Sequence, residues 1–416
     1  MKKSLCSQAG VLAGVLGIMV IMTGCLYEGR TVKKHADENA AGGQVIQIQE
    51  EADAVLVKRD GLEESDVKLT DEEKFLLRDM QGDSYAFQLL SEKEQEIYLE
   101  ILWTLSHFQE DVTLSSMDEK EIGRMFQCVL NDHPEIFYVD GYTYTQYTLG
   151  DILKRITFTG TYHMDREEIA ASQTQIDKYV EQCLSQIGPE MDEYEKVKHI
   201  YEYLIDHTEY DAEAKNSQNI CSVFLDGRSV CQGYAKATQY LLQQAGISST
   251  LILGEVSQGE GHAWNAARID GQWYYVDTTW GDASYQAIGG DDAYPEKAKP
   301  TINYDYLCVT TQQLCKTHKI DNVVEPPQCD SMEDNYYVRE GLYFTTVDKE
   351  QLARIFKEGY ERGNAYVTLK CASEEIYGQM QDMLIQDQEI FYYLDCPEGV
   401  VSYTDDGEQY SMSFWL

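Results

Sequence analysis

Two runs of strand-forming residues, His262 to Ile269 and Gln272 to Thr279, stand on either side of Asp270-Gly271. An Asp-Gly link between such runs signals a tight hairpin, because both link positions must take positive φ. The link also fixes register. If Ile269 pairs with Gln272, then His262 pairs with Thr279, and Asp277 lies two residues back along the partner strand. Asp277 then shares a face with His262 as its diagonal neighbour, about 7–8 Å away between backbones. A slip of one residue would put the two groups on opposite faces. The hairpin therefore predicts an imidazole–carboxylate pair on one side of an antiparallel sheet.

A thiol precedes this pair. Asp226-Gly227-Arg228-Ser229 reads as a turn, and Cys231 opens a helical pattern continued by Ala235, Ala237, Tyr240, Leu241 and Leu242, with Gly246 as the stop. A Cys in the first helical turn meets unpaired backbone N–H groups and the positive end of the helix dipole, which favour thiolate. Thr250 to Val256 reads as a strand, and the Gly-rich loop Ser257 to Gly261 leads into His262. Cys, then His, then Asp is the order of a nucleophile, its base and the group that orients the base.

The segments VCQGYAKA, GHAWN and WYYVDTTWGD resemble the core of the transglutaminase-like superfamily, a papain-like α+β fold. The likeness extends from EKVKHIYEYLIDHTEYD to NYDYLCVT, about residues 190 to 320. It implies that Cys231, His262 and Asp277 are a catalytic triad acting on amide bonds of protein or peptide substrates, with no cofactor. The superfamily includes crosslinkers, peptidases, amidases and members that have lost activity, so an inactive surface binding module is the alternative. The backbone N–H of Cys231 is one oxyanion donor by position. Papain-type enzymes place a Gln six residues before the nucleophile; that position is Leu225 here, so the second donor is unassigned. Tyr234, Trp264 and Trp280 are candidate substrate contacts, with Trp280 the best cleft wall. His207, in HTEYD, reads as a hydrogen-bonded helix-end histidine. No metal is expected: Cys231, His262 and Asp277 lack a fourth ligand at usual spacing, no CxxC pair occurs, and no EF-hand loop is present.

Residues 1–24 read as an export signal. Lys2-Lys3 precede the apolar run Val11 to Met22, which ends in Met22-Thr23-Gly24-Cys25. This resembles the lipobox of bacterial lipoproteins, which would put a diacylglyceryl group on Cys25 and hold the chain outside the cytoplasm on the membrane. Losing Lys2 and Lys3 takes the formal charge from −39 to −41. So acidic a body argues against nucleic acid as a partner and against a flat electrostatic seat on anionic lipid. The candidate partner implied by the transglutaminase-like resemblance is a protein or peptide substrate, with cell-wall association among the options.

The organisation expected is a tether over 25–69, an α+β module over 70–188, the transglutaminase-like domain over 189–325 and a second α+β module over 326–416. Val55 to Val57 form a candidate strand within the tether. In the first module, helices are predicted around Ile97–Leu105 and Ile122–Val129 (capped by Asp118), then strands 136–147 and 152–162, then a helix over 165–187. Pro189 is expected to open the next helix. Beyond Pro326-Pro327 the pattern gives a strand near 336–345, a helix 348–362, a strand 365–370, a helix 373–385 and closing strands. Glu121, Ile122, Gln127, Leu130 and Glu135 to Tyr138 recur 254 residues later as Glu375, Ile376, Gln381, Leu384 and Glu389 to Tyr392. The echo predicts one helix-to-strand unit on both sides of the central domain. Besides Cys6, Cys25 and Cys231, eight cysteines remain, and an exported chain permits disulfides among them.

Overall fold

The computed structural model describes residues 54–60, 67–149, 151–214, 217–256, 259–282, 302–395 and 399–416. The expectations for the signal, Cys25, most of the tether and loop residues 257–258 lie outside these. The architecture is α+β. Its centre is a five-stranded antiparallel sheet in the order Leu307–Val309, Gln272–Val276, Glu260–Ile269, Ser249–Val256, His318–Ile320. The middle hairpin turns at Asp270 and Gly271, with φ of 48° and 83°, and Ile269 pairs with Gln272 as the Asp-Gly link requires.

Alternation along the strands divides the buried side chains between two faces. Leu251 and Ala263 face one way and pack on Ala235 of the helix Cys231–Gln244. Ile252, Trp264, Ala266 and Tyr275 face the other way and cluster with Tyr306, Val309, Leu314 and Cys329. The sheet is thus covered on both sides, which explains why its central strands lack the polar alternation of a half-exposed sheet.

The first module supplies the helices Glu92–His107 and Glu119–Asp132 and a mixed sheet ordered Ala54–Asp60, Val139–Leu149, Ile152–Tyr162, Val112–Thr113. Asp118, Asp165 and Asp192 cap the helices Glu119–Asp132, Arg166–Leu184 and Glu193–His207 by accepting first-turn N–H bonds. The last of these helices starts behind Asp192, so Pro189 lies ahead of the cap. One apolar cluster runs from Leu69 to Cys308, through the first module, the helix Glu193–His207 and the central sheet. A buried bond from Gln239 Nε2 to the Asn131 carbonyl (2.8 Å) ties the cysteine helix to it.

A separate cluster, Phe344 to Phe414, holds the C-terminal module. Its sheet order is Tyr343–Phe344, Tyr366–Cys371, Ser411–Trp415, Tyr403–Asp406. Near 336–345 the chain forms a short helix, Tyr336–Arg339, before a two-residue strand, because Asn335 caps a helical turn there. The module docks on the turn Tyr304–Tyr306: Lys370 Nζ meets Asp305 Oδ1 at 2.6 Å, and Ser411 Oγ donates to Asp305 Oδ2 at 3.2 Å.

The internal echo is a shared helix and turn rather than a shared helix-to-strand unit. Glu135 to Tyr138 turn directly into the strand at Val139, so the expected strand from 136 starts three residues late. Glu389 to Tyr392 form a 3₁₀ turn, and the next strand comes only at Tyr403. Ile136, Phe137 and Tyr138 are buried, whereas Tyr392 is 83% exposed, so the second copy lacks the packing that draws the first into a sheet. The cysteines at 128, 183, 221, 231, 308, 315, 329 and 371 are free thiols. Among the described residues no helix is long and apolar enough to cross a membrane.

Candidate active site

Cys231 is the first residue of its helix. Val230 occupies the N-cap and offers no side-chain acceptor, so no cap side chain competes for the first-turn N–H groups beside the thiol. His262 lies near the start of its strand, opposite Gly254. Asp277 differs from the sequence expectation in setting. The hairpin ladder ends at the pair Asn265–Val276, and Asp277 leaves the strand to cap the one-turn helix Thr278–Gly281. Thr279 is therefore helical and does not pair with His262. The carboxylate explains the change: its Oδ1 accepts from the N–H groups of Thr279 (2.9 Å) and Trp280 (3.0 Å), which stops the strand and fixes the side chain.

The remaining oxygen, Oδ2, faces the histidine. His262 Nε2 donates to it at 2.7 Å. The Cys231 thiol lies close enough to the same imidazole to help raise its pKa, and Nδ1 is the ring nitrogen that Asp277 leaves free. All three residues are buried, Cys231 and His262 at 3% exposure and Asp277 at 1%.

A residue absent from the sequence expectation completes the group. His318, on the edge strand His318–Ile320, donates from Nε2 to the same Oδ2 at 3.0 Å and is 4% exposed. Register explains the meeting. The strand Ser249–Val256 separates the two histidine strands, with His262 opposite Gly254 and His318 opposite Val256. Gly254 carries no side chain on that face, and the Trp264 ring packs over it; a Cβ there would lie 2.7 Å from that ring and would run into the Lys319 carbonyl. The imidazoles close to 5.4 Å between ring centres. No spacing rule reveals this in sequence, since pairing of a three-residue edge strand is set by the tertiary fold. The only signals are a histidine shortly after NYDYLCVT and a glycine in the adjoining strand.

The electrostatics divide the two histidines. Burial opposes charge on His262, but the Asp277 charge and hydrogen bond, aided by Cys231, outweigh it and push the imidazole up to about 10. Burial likewise opposes charge on Asp277, yet the two histidines hold its carboxyl well below the usual range. For His318 burial prevails, reinforced by the neighbouring imidazolium, and it is held below 6.5 despite Asp277. At neutral pH the group carries one imidazolium, one carboxylate and one neutral imidazole.

His262, Asp277 and His318 also bring three metal-ligand atoms within 4.8 Å of one another. The donors of a tetrahedral zinc site, each about 2.0–2.2 Å from the ion, stand about 3.3–3.5 Å apart. The two Nε2–Oδ2 separations are shorter and are those of hydrogen bonds, so the donor set fits a hydrogen-bonded cluster better than a resident ion.

The aromatic expectations divide. Tyr234 is fully buried and donates its hydroxyl towards the Thr208 carbonyl and Asp282 Oδ2, both at 2.9 Å. Trp264 is fully buried, stacked on His262 at 5.8 Å and edge-on to His318 at 5.0 Å. Neither side chain is open to a substrate; both pack the site from within. Trp280 is half-buried and edge-on to His262 at 6.2 Å. His207 bonds the Tyr203 carbonyl through Nδ1 (2.8 Å) and stacks on the Tyr203 ring, as a helix-end histidine does.

Residues 181–278 match the family model of the transglutaminase-like superfamily, a stretch that contains Cys231, His262 and Asp277 and stops short of His318. The chain therefore carries a transglutaminase-like superfamily domain over residues 181–278. It is 25% identical over 202 residues to the kyphoscoliosis peptidase of Mus musculus and 26% identical to that of Homo sapiens. Each match covers 43% of this chain and 30% of the relative, so the chain spans under a third of these proteins. Among solved structures, a TGase crystal structure matches at 15% identity and a TM-score of 0.26, over 38% of this chain and 55% of that one. The periplasmic domain of TgpA from Pseudomonas aeruginosa matches at 16% identity and 0.21, over 33% and 59%.

Proposed function

We propose that the chain is a thiol enzyme that cleaves or transfers amide-linked acyl groups of protein or peptide substrates through Cys231, His262 and Asp277. The observation that carries this reading is the buried bond between His262 Nε2 and Asp277 Oδ2, on an imidazole whose pKa the nearby Cys231 thiol helps to raise. His262 takes the proton of Cys231, whose sulfur is the attacking group. The sulfur adds to the amide carbonyl, and charge gathers on the oxygen near the Cys231 N–H at the helix start. His262 then gives its proton to the leaving amine, the C–N bond breaks and a thioester forms. Water or a second amine attacks the thioester while His262 takes back a proton, releasing acid or a new amide. Asp277 keeps the imidazole in one tautomer and orientation throughout. Trp280 forms a wall beside the histidine.

The test pairs two assays on the chain from residue 26: hydrolysis of fluorescent casein, and incorporation of a fluorescent primary amine into casein. Activity in either that disappears in Cys231→Ala supports the reading. Activity that survives Cys231→Ala overturns it.

The same reading puts the enzyme outside the cytoplasm on a lipid anchor at Cys25, with cell-wall-associated protein or peptide as substrate and no nucleic-acid partner. It rests on Lys2-Lys3, the apolar run and Met22-Thr23-Gly24-Cys25. Detergent-phase partitioning of the full chain, abolished by Cys25→Ser, is the expected result; equal partitioning of the two would contradict it.

A further inference from the structure

We propose that His318 is a positioning residue for the catalytic pair: its Nε2–H shares Asp277 Oδ2 with His262 and holds that oxygen on the catalytic ring. This rests on the triad reading above.

Two backbone N–H groups fix Oδ1, and among the described residues two histidines hold Oδ2. Without His318, the carboxylate keeps one bond on that oxygen and gains freedom to turn about the axis its cap defines. The His318 ring is itself tied down. Thr317 Oγ1 lies 2.8 Å from Nδ1, and the Tyr306 hydroxyl lies 3.3 Å from Thr317 Oγ1. The Asp277 carboxylate can only accept, so a neutral His318 carries its proton on Nε2 and leaves Nδ1 as an acceptor for the Thr317 hydroxyl, which also lies 3.4 Å from the Leu314 carbonyl. Trp264, Trp280 and Tyr306 enclose the ring. The titratable groups facing the two histidines are Asp277, Cys231 and Tyr306; Glu255 and Lys319 pair with each other at the exposed edge. Burial, with the His262 charge beside it, keeps His318 neutral, so it adds a donor without competing for the ion pair.

A histidine that merely fills space would be replaceable by any side chain of similar size, which separates the two roles. The experiment is the rate of iodoacetamide alkylation of Cys231 at pH 6, with folding checked by circular dichroism and melting. His318→Gln keeps an amide N–H where Nε2 stands, and His318→Leu fills the space without a donor. The proposal predicts a rate about 10- to 100-fold lower in His318→Leu, the size typical for loss of a supporting hydrogen bond behind a reactive group, and recovery of most of it in His318→Gln. Equal rates in the two variants overturn it. Should His318→Leu fail to fold, Thr317→Val removes the hydroxyl beside Nδ1 and is predicted to be slow; a wild-type rate there also overturns it. His262→Ala in the same series reads the triad itself. If the wild type reacts no faster than His262→Ala, the triad reading falls and this proposal with it. If only His318→Leu is indistinguishable from wild type, the role of His318 alone falls.

Discussion

Replacing Asp277 with Asn tests the electrostatics of the site through stability rather than activity. Asn keeps the Oδ1 cap on Thr279 and Trp280 but loses the charge that faces the histidines. In the wild type, His262 is raised from 6.5 to about 10. A raised folded-state value means the contribution is fully present below 6.5 and is lost as pH climbs to about 10. Within that window the folded chain holds a proton the unfolded chain has released, so stability falls by about 1.4 kcal/mol per pH unit, close to 5 kcal/mol in all. Asp277 is depressed, so its contribution is present above the usual carboxylate range and is lost only in acid. In Asp277→Asn burial becomes the dominant influence on His262, which stays neutral above 6.5, and the slope from this group disappears. Urea unfolding of both proteins between pH 7 and 9.5, each in a Cys231→Ala background that removes the thiol's own titration, measures the difference. The wild-type advantage is expected to shrink by about 3 kcal/mol across that range. A constant difference would refute the reasoning, because the charge on His262 would then not depend on Asp277.

Other perturbations read the supporting structure. Gly254→Ala drives a Cβ against the Lys319 carbonyl and the Trp264 ring; calorimetry should show a loss of about 1–3 kcal/mol, and Cys231 alkylation should slow with it. Trp264→Ala removes a fully buried indole stacked on His262 and should cost about 3–5 kcal/mol in urea unfolding. Lys370→Met takes the ammonium partner from the half-buried Asp305, and about 1–3 kcal/mol should be lost, visible as earlier proteolysis of the C-terminal module.

Much of this site was legible because its signals are local. The Asp-Gly link gave the hairpin register from Ile269 and Gln272, and the Cys231 pattern gave its helix to within the first residue. The setting of Asp277 was not, because an Asp continuing a strand and an Asp capping a helix look alike until the chain turns; its bonds to Thr279 and Trp280 decide the matter. Trp264 and Tyr234 carried the aromatic character expected of a cleft, but whether an aromatic wall faces inward or outward depends on what packs behind it. His318 was invisible for a different reason. It reaches Asp277 across an intervening strand, and no pattern within one strand encodes that contact.

The most direct test of the central claim is the alkylation rate of Cys231 against pH in the wild type and in His262→Ala, read by peptide mass spectrometry with the other thiols as controls. A thiolate–imidazolium pair predicts fast modification persisting well below pH 7 in the wild type and lost in His262→Ala. A wild-type rate that rises only near the free-thiol value of about 8.5, unchanged by His262→Ala, would contradict it and leave a binding module on an enzyme scaffold.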